Sequence, residues 1–301
     1  MSINMNDFGG KNEHLMNHRY FNNRDRKYQI DWKYWAKQVK KDETWNSLKE
    51  YILDKQPDLL VIEEMLISCY ESIDFIGELK EIGYSYIEDC LPERGNYSLT
   101  MIFFRDGNPK YIHSPGKYRE NRSVVCKEDD LLICGSHFPC ESDEVFLNHM
   151  ENFVTDYLND DFLLVGDLNA NDQTRGNKKM INRLLDKGAV DLWVMFGNDE
   201  NIPTEAQYQG RLDYAIASPS LAKKVKNIEI DPFLMNAGVT DHAAIIVDIN
   251  ERGKALQMKV ISHIQNRPQK SKAEIDAISL FWSEKDIEMD GAKSPYCICS
   301  L

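Results

Sequence analysis

Two polar side chains, Asp167 and Asn169, stand just past an apolar run at 162–165, from which Gly166 separates them. A carboxylate at such a position can accept a proton or orient a water. A carboxamide beside it can donate a hydrogen bond to an anionic substrate. A Gly-Asp step after a strand is on its own an ordinary turn, but the same arrangement recurs along the chain. Glu63 and Glu64 end the apolar run 59–62, His137 follows 131–134, Asp213 heads an alternating stretch that runs to Ser218, and Asp241-His242 precede 243–247. Near the start, Asn4 and Asn6 fall on one face of a short alternating segment, with Ile3 and Met5 on the other. Each of these has a plain reading by itself as a solvated turn, a frayed terminus or a structural histidine. Together they read as several strands with a polar residue at the end.

Elements that would hold such ends in place are legible between them. Positions 144–158 read as a helix, with Val145, Phe146, His149, Met150, Phe153, Val154 and Tyr157 or Leu158 at helical spacing. Further helices are expected over 73–82 and 177–187. One or two more, carrying Trp32, Trp35, Val39, Trp45, Leu48 and Ile52, end before Pro57. Strands are expected over 84–87, 98–104 and 122–126, with a strand-like run at 190–196 and a turn-rich loop at 106–121. The segment 11–46 is basic and aromatic. Its aromatics read as core, and Arg19, Arg24, Arg26 and Lys27 read either as a solvated face or as a positive lip beside an anionic substrate. Beyond Asn250 the composition turns basic before a short amphipathic run at 275–282, so the chain divides into a domain over 1–250 and a C-terminal extension over 251–301, helical or partly disordered.

The whole chain sets wider limits. Its 301 residues, 42% hydrophobic, suffice for a substantial core. A net charge of −13 argues against a protein that coats nucleic acid by neutralising phosphates. It is compatible with an enzyme that holds a phosphate through a metal ion, because clustered carboxylate ligands are themselves acidic. Seven cysteines without metal-finger spacing read as reduced thiols. Met1 leads into polar residues with no basic start and apolar stretch behind it, and no apolar run reaches the roughly 18 residues that span a bilayer. The expectation is therefore a soluble cytoplasmic protein with no membrane anchor. The abundance of Asn, Lys and Ile suggests a bacterial source of AT-rich composition.

The blocks Ser-Ile-Asn-Met-Asn, Pro-Asp-Leu-Leu-Val-Ile-Glu-Glu, Ser-His-Phe-Pro, Gly-Asp-Leu-Asn, Arg-Leu-Asp-Tyr and Thr-Asp-His occur in that order over residues 2–249. In this the chain resembles the endonuclease/exonuclease/phosphatase (DNase I-like) superfamily. The resemblance implies an α+β fold, a four-layer α/β/β/α sandwich of two mixed sheets. It implies a phosphodiester hydrolase, a nuclease in the first instance, with nucleic acid as substrate and Mg²⁺ as cofactor (Mn²⁺ as the alternative). Glu64, with Asn4, Asn6 or Asp241, would then hold the metal. Asp167 would orient or deprotonate the attacking water, and Asn169 would position both that carboxylate and the phosphate. His242 would contact the scissile phosphate, with Asp213 fixing its tautomer. His137 matches a position that acts on the leaving group or steadies the phosphate, and Arg122 matches a phosphate-binding arginine. The chain departs from the pattern at Glu63, often Gln in relatives, and at Asn6, often a carboxylate in abasic endonucleases. The separation of 60 positions from Asn4 to Glu64 exceeds the usual first crossover, and that of 46 from Asp167 to Asp213 leaves no room for the insertions of damage-specific enzymes. The alternative readings are a phosphatase or phosphodiesterase acting on a small or lipid ester (phosphoinositide, sphingomyelin or nucleotide) and an inactive binding scaffold. The C-terminal extension is a candidate protein contact.

Overall fold

Strand β10 (Asp161–Asp167) shows why the apolar runs in this chain are continuous rather than alternating. Phe162 and Leu164 point to one face and are buried under helices, while Leu163 and Val165 point to the other and meet a second sheet. A strand covered on both sides has no solvent face to leave polar. Burying such a side chain fully contributes about 1.5–3 kcal/mol. The same division holds in β2 (Leu59–Met65), where Leu60 and Ile62 face helices and Val61 faces the other sheet.

The computed structural model describes residues 1–5, 44–65, 68–69, 73–86, 99–105, 107, 109–112, 122–171, 175–206, 208 and 210–249. The chain divides into two units, Met1–Glu251 and Arg252–Leu301. The second unit lies outside the described residues, as do Asn6, the basic stretch through Lys41 with Trp32, Trp35 and Val39, and most of the loop 106–121.

Two six-stranded mixed sheets face each other. The first runs in the order β13 (Val225–Asp231), β14 (Ala244–Ile249), β1 (Ser2–Asn4), β2, β6 (Leu99–Phe104), β5 (Ser85–Tyr86). The second runs β11 (Val190–Asp191), β12 (Asp213–Ala217), β10, β9 (Leu131–Ser136), β8 (Ser123–Glu128), β7 (Lys110–Tyr111). In each sheet one parallel pair, β1–β2 or β9–β10, lies among antiparallel neighbours. The parallel pairs need crossovers, and the helices supply them. Helix α1 (44–55) precedes β2, and α3 (Glu144–Asp156) joins β9 to β10. Helices α1 and α2 (Phe75–Glu81) cover the outer face of the first sheet through Trp45, Leu48, Ile52, Phe75 and Leu79. Helices α3 and α4 (Arg175–Asp186) cover the second through Phe146, Met150, Met180 and Leu184. Between the sheets Val61, Ile102, Ile133, Leu163, Ala215 and Ile245 form a third apolar layer. The result is the expected helix/sheet/sheet/helix order.

Several expectations need correction. Ile73–Asp74 is a strand (β4) paired with Ser68–Cys69 (β3), so helix α2 begins only at Phe75. In α3, Val145 and His149 point outward, and Leu147 takes the buried position beside Phe146 and Met150. The run 190–196 is a two-residue strand followed by a helical turn, α5 (Leu192–Met195), because Asp191 accepts from the Trp193 and Val194 amides and caps it. Strand β13 and the turns α6 (Pro219–Ala222) and α7 (Phe233–Asn236) had no counterpart in the sequence reading. The exposed Lys226 and Asn227 and the edge position of β13 explain the weak apolar pattern there.

Candidate active site

The C-terminal end of β10 lies inside its sheet, between parallel β9 and antiparallel β12. Register therefore sets Asp167 opposite Asp213, at the start of β12. Gly166 makes the exit from the strand possible. Its φ is +143°, and a Cβ there would come within 2.1 Å of the Ser136 carbonyl oxygen. Three residues on, Asn169 adopts the left-handed conformation, φ +46°, which asparagine tolerates better than most residues. Its backbone N–H donates to Asp167 Oδ1 at 2.9 Å, and its Nδ2 reaches the Phe138 carbonyl at 3.0 Å and Asp167 Oδ2 at 3.2 Å.

Asp167 Oδ2 is a focus for several elements. Asn4 Nδ2 donates to it at 3.1 Å from β1, in the opposite sheet. His137 Nε2 and His242 Nε2 each lie 3.8 Å away. His242 Nδ1 donates to Asp213 Oδ2 at 2.9 Å, which orients the ring and leaves Nε2 toward Asp167. Asp241 Oδ1 is 4.0 Å from that same Nε2. The Asp241-His242 turn is pinned to β1 by Thr240, whose hydroxyl donates to the Asn4 carbonyl at 2.6 Å.

On the other side His137 continues β9, its backbone N–H donating to the Arg122 carbonyl at 2.8 Å. Arg122 Nη1 lies 3.0 and 3.1 Å from the two ring nitrogens, set against the imidazole rather than along one directed bond. Glu64 Oε1 is 3.5 Å from His137 Nε2. Glu64 reaches the site because the β2 ladder slips between Ile62 and Met65, and Glu64 itself takes φ +48°. That bulge sends adjacent carboxylates to different places. Glu64 keeps 26% of its side chain exposed, while Glu63 is fully buried, with Oε1 accepting from the Ser2 hydroxyl at 2.6 Å.

Burial and neighbouring charge set the protonation states. Burial pushes the Glu63 carboxyl well above the usual carboxylate range, with Asp213 and Asp167 adding to the shift. Burial and the Asp213 charge raise Asp167 to about 7 against the pull of His242. Burial, then the Arg122 and His242 charges, lowers His137 well below 6.5, so its ring is neutral. For His242 burial works against the charged form, but the carboxylates of Asp213, Asp167 and Asp241 outweigh it and raise the pKa well above 6.5.

Nine of the ten sequence-expected residues thus gather at one end of the sandwich, drawn from both sheets: Asn4, Glu64, Arg122, His137, Asp167, Asn169, Asp213, Asp241 and His242. Asn6 lies outside the described residues. Among the described residues no three His, Cys, Asp or Glu side chains close around one point. Glu64, Asp241 and Asn4 nevertheless offer only hard oxygen donors. That chemistry suits a cation bound through one or two carboxylates that keeps much of its water.

Thr204 was missed from sequence, although it is fully buried and joins two of these loops. Its hydroxyl accepts from the Leu212 and Asp213 amides at 2.9 and 3.1 Å, and its carbonyl accepts from Ala243 at 2.8 Å. A single Thr in a loop after Pro203 carries no periodic signal.

No family model matches the sequence, and no curated protein matches it. Solved structures do. The 3′-phosphatase NExo from Neisseria bound to a product DNA hairpin superposes with a TM-score of 0.56 at 15% identity, over 68% of this chain and 93% of that one. An AP endonuclease from Archaeoglobus fulgidus gives 0.57 at 13% identity, over 69% and 94%. The endonuclease domain of TRAS1, a telomere-specific non-LTR retrotransposon, gives 0.52 at 16% identity, over 70% and 94%. The fold of this chain is therefore that of the endonuclease/exonuclease/phosphatase, or DNase I-like, superfamily.

Proposed function

We propose that the chain is a phosphodiester hydrolase of the nuclease kind, dependent on Mg²⁺ or, as second choice, Mn²⁺. The supporting observation is the convergence on Asp167 Oδ2 of Asn4, Asn169, His137 and His242 from four different chain segments. A buried carboxylate surrounded by donors at the open end of a sandwich can hold and deprotonate a water. A phosphate placed beside it would meet Asn169, His242 and Arg122 as donors to its oxygens. Asp213 keeps the His242 ring oriented for that contact. His137, neutral and backed by Arg122, steadies the phosphate or serves the leaving oxygen.

When bound, the metal would supply Lewis-acid polarisation of a phosphate oxygen. Glu64 would hold it, with Asn4, Asn6 or Asp241 contributing further oxygens. DNA is put first among substrates because structures sharing this fold are named as a 3′ phosphatase bound to a product DNA hairpin, an AP endonuclease, a 3′–5′ exonuclease and a retrotransposon endonuclease domain.

One observation favours a second reading, hydrolysis of a lipid phosphodiester. The α5 turn exposes three consecutive apolar side chains, Val194, Met195 and Phe196, at 43%, 43% and 39%. No helix among the described residues is long and apolar enough to cross a membrane.

The test is a hydrolysis panel of supercoiled DNA, single-stranded DNA, RNA, inositol phosphates and sphingomyelin, with and without Mg²⁺ and EDTA. His242→Ala and Glu64→Ala are run beside the wild type. Metal-dependent cleavage of a polynucleotide, lost in both folded variants, is the expected result. Binding without turnover on every substrate would instead favour a scaffold.

A further inference from the structure

Behind the site, the first turn of α4 carries Asn177, which is fully buried. Its Nδ2 points at three backbone carbonyls: Pro139 at 3.1 Å, Leu168 at 3.1 Å and Asn169 at 3.3 Å. These carbonyls belong to the two loops that leave the sheet, since β9 ends at Ser136 and β10 at Asp167. One loop begins at His137, and the other follows Asp167 at the strand end and carries Asn169. The loops also touch each other directly, through the Phe138 N–H to the Asp167 carbonyl at 2.8 Å and Asn169 Nδ2 to the Phe138 carbonyl at 3.0 Å.

We propose that Asn177 is a positioning residue that clamps the His137 loop and the Asp167–Asn169 loop into one rigid unit. This inference rests on the hydrolase reading given above. The side-chain orientation follows from the partners. Three carbonyl oxygens would repel an amide oxygen in the same place, so the nitrogen must face them. Among the described residues the Asn177 Oδ1 at the far end has no hydrogen-bond partner, so the residue is held there by its donors and not by its oxygen. A leucine would otherwise fill the space at lower cost.

The neighbouring residue reinforces the clamp. The Gly176 N–H donates to Ser142 Oγ at 3.1 Å, and a Cβ at Gly176 would lie 2.6 Å from that oxygen. The start of α4 is therefore pressed against the 139–142 loop by two consecutive residues. Asn177 touches no reacting group, and its effect on catalysis passes through the placement of Asp167, Asn169 and His137.

Full-length protein with Asn177→Leu, which keeps the branching and heavy-atom count and removes the donors, and with Asn177→Ser, which keeps one short donor, tests this. Activity is measured on the best substrate of the panel, and amide hydrogen exchange is followed over 136–142 and 166–171. In Asn177→Leu, kcat should fall by about 100-fold, as for an ångström-scale misplacement, while KM stays within about threefold. Exchange should quicken in those two segments only, and Asn177→Ser should fall between the two on both measures. Wild-type kcat and exchange in Asn177→Leu would overturn the proposal. So would a rise in exchange spread evenly over both sheets, because that would mark a merely structural role. If Asn177→Leu does not fold, the same two outcomes are read from Asn177→Ser. If the wild type cleaves no ester, the functional reading falls, and the exchange pattern still decides the clamp.

Discussion

Asp167 sits where its environment does the most to define it, buried, opposite Asp213 in register and within 3.8 Å of two histidines. Replacing Asp167 by Asn keeps the shape and the Asn169 backbone contact but removes the proton acceptor. Removing the His242 ring deletes the donor on the other side of a bound phosphate. General acid–base steps of this kind contribute about 10²–10⁴-fold each, so Asp167→Asn and His242→Ala should each lower kcat by that range. Steady-state assays paired with thermal melts check this, and a folded Asp167→Asn with wild-type turnover would refute the assignment. These side chains were readable from sequence because each follows or precedes an apolar run, so their place at a strand end could be inferred without coordinates. Thr204 and Asn177 were not readable. They act by hydrogen-bonding to backbone groups distant in sequence, and nothing in local composition marks such a contact.

At the scale of elements, Gly166 is where β10 turns from core strand into site. With φ at +143° and a Cβ that would stand 2.1 Å from Ser136 O and 2.9 Å from Glu63 Oε1, Gly166→Ala strains the backbone and drives Ser136 away. The cost should exceed about 1 kcal/mol. Chemical denaturation would measure it, and an unchanged midpoint would show that the turn relaxes freely. A second element-level test concerns how α1 is tied to β13. Asp231 Oδ2 accepts from the Tyr51 hydroxyl at 2.7 Å and from Lys55 Nζ at 2.9 Å, while its Oδ1 accepts from the Phe233 N–H at 2.9 Å. Burial raises its pKa, but these donors outweigh burial and leave it below the ordinary value of 3.8. A carboxylate depressed in this way contributes its stability above the unfolded value, and that contribution is lost as pH falls through the folded one. Asp231→Asn should therefore destabilise by about 1–2 kcal/mol at neutral pH, with the gap to wild type closing at pH below 3.8. A gap that persisted into acid would mean the amide loses packing and not charge. The long buried strands were legible because two-sided burial makes them uniformly apolar. The run 190–196 misled because an Asp cap and an edge position produced one helical turn from strand-like residues, and β13 was overlooked because exposed polar side chains interrupt its apolar pattern.

For the whole molecule the order of six short blocks carried the fold, and no composition argument could have supplied it. Charge bears instead on how the substrate is held. A net charge of −13 repels a polyanion at long range, so binding depends on a few local contacts. Among the described residues Arg122 is the cation placed against a site side chain, His137, while Arg211 is buried in an ion pair with Asp191. A grip on one or two phosphates releases few counterions. From about 50 to 200 mM salt it would weaken only about 3–12-fold, against 10³–10⁵-fold for a protein that holds 6–10 phosphates. At fixed Mg²⁺, kcat/KM on a short DNA should therefore decline by no more than about 12-fold over that range. A steep decline would place the grip on basic residues beyond the described site. Charge-neutralising substitutions at Arg19, Arg24, Arg26 and Lys27, or at Arg252, Lys254 and Lys259, would then show which stretch supplies it by flattening the slope.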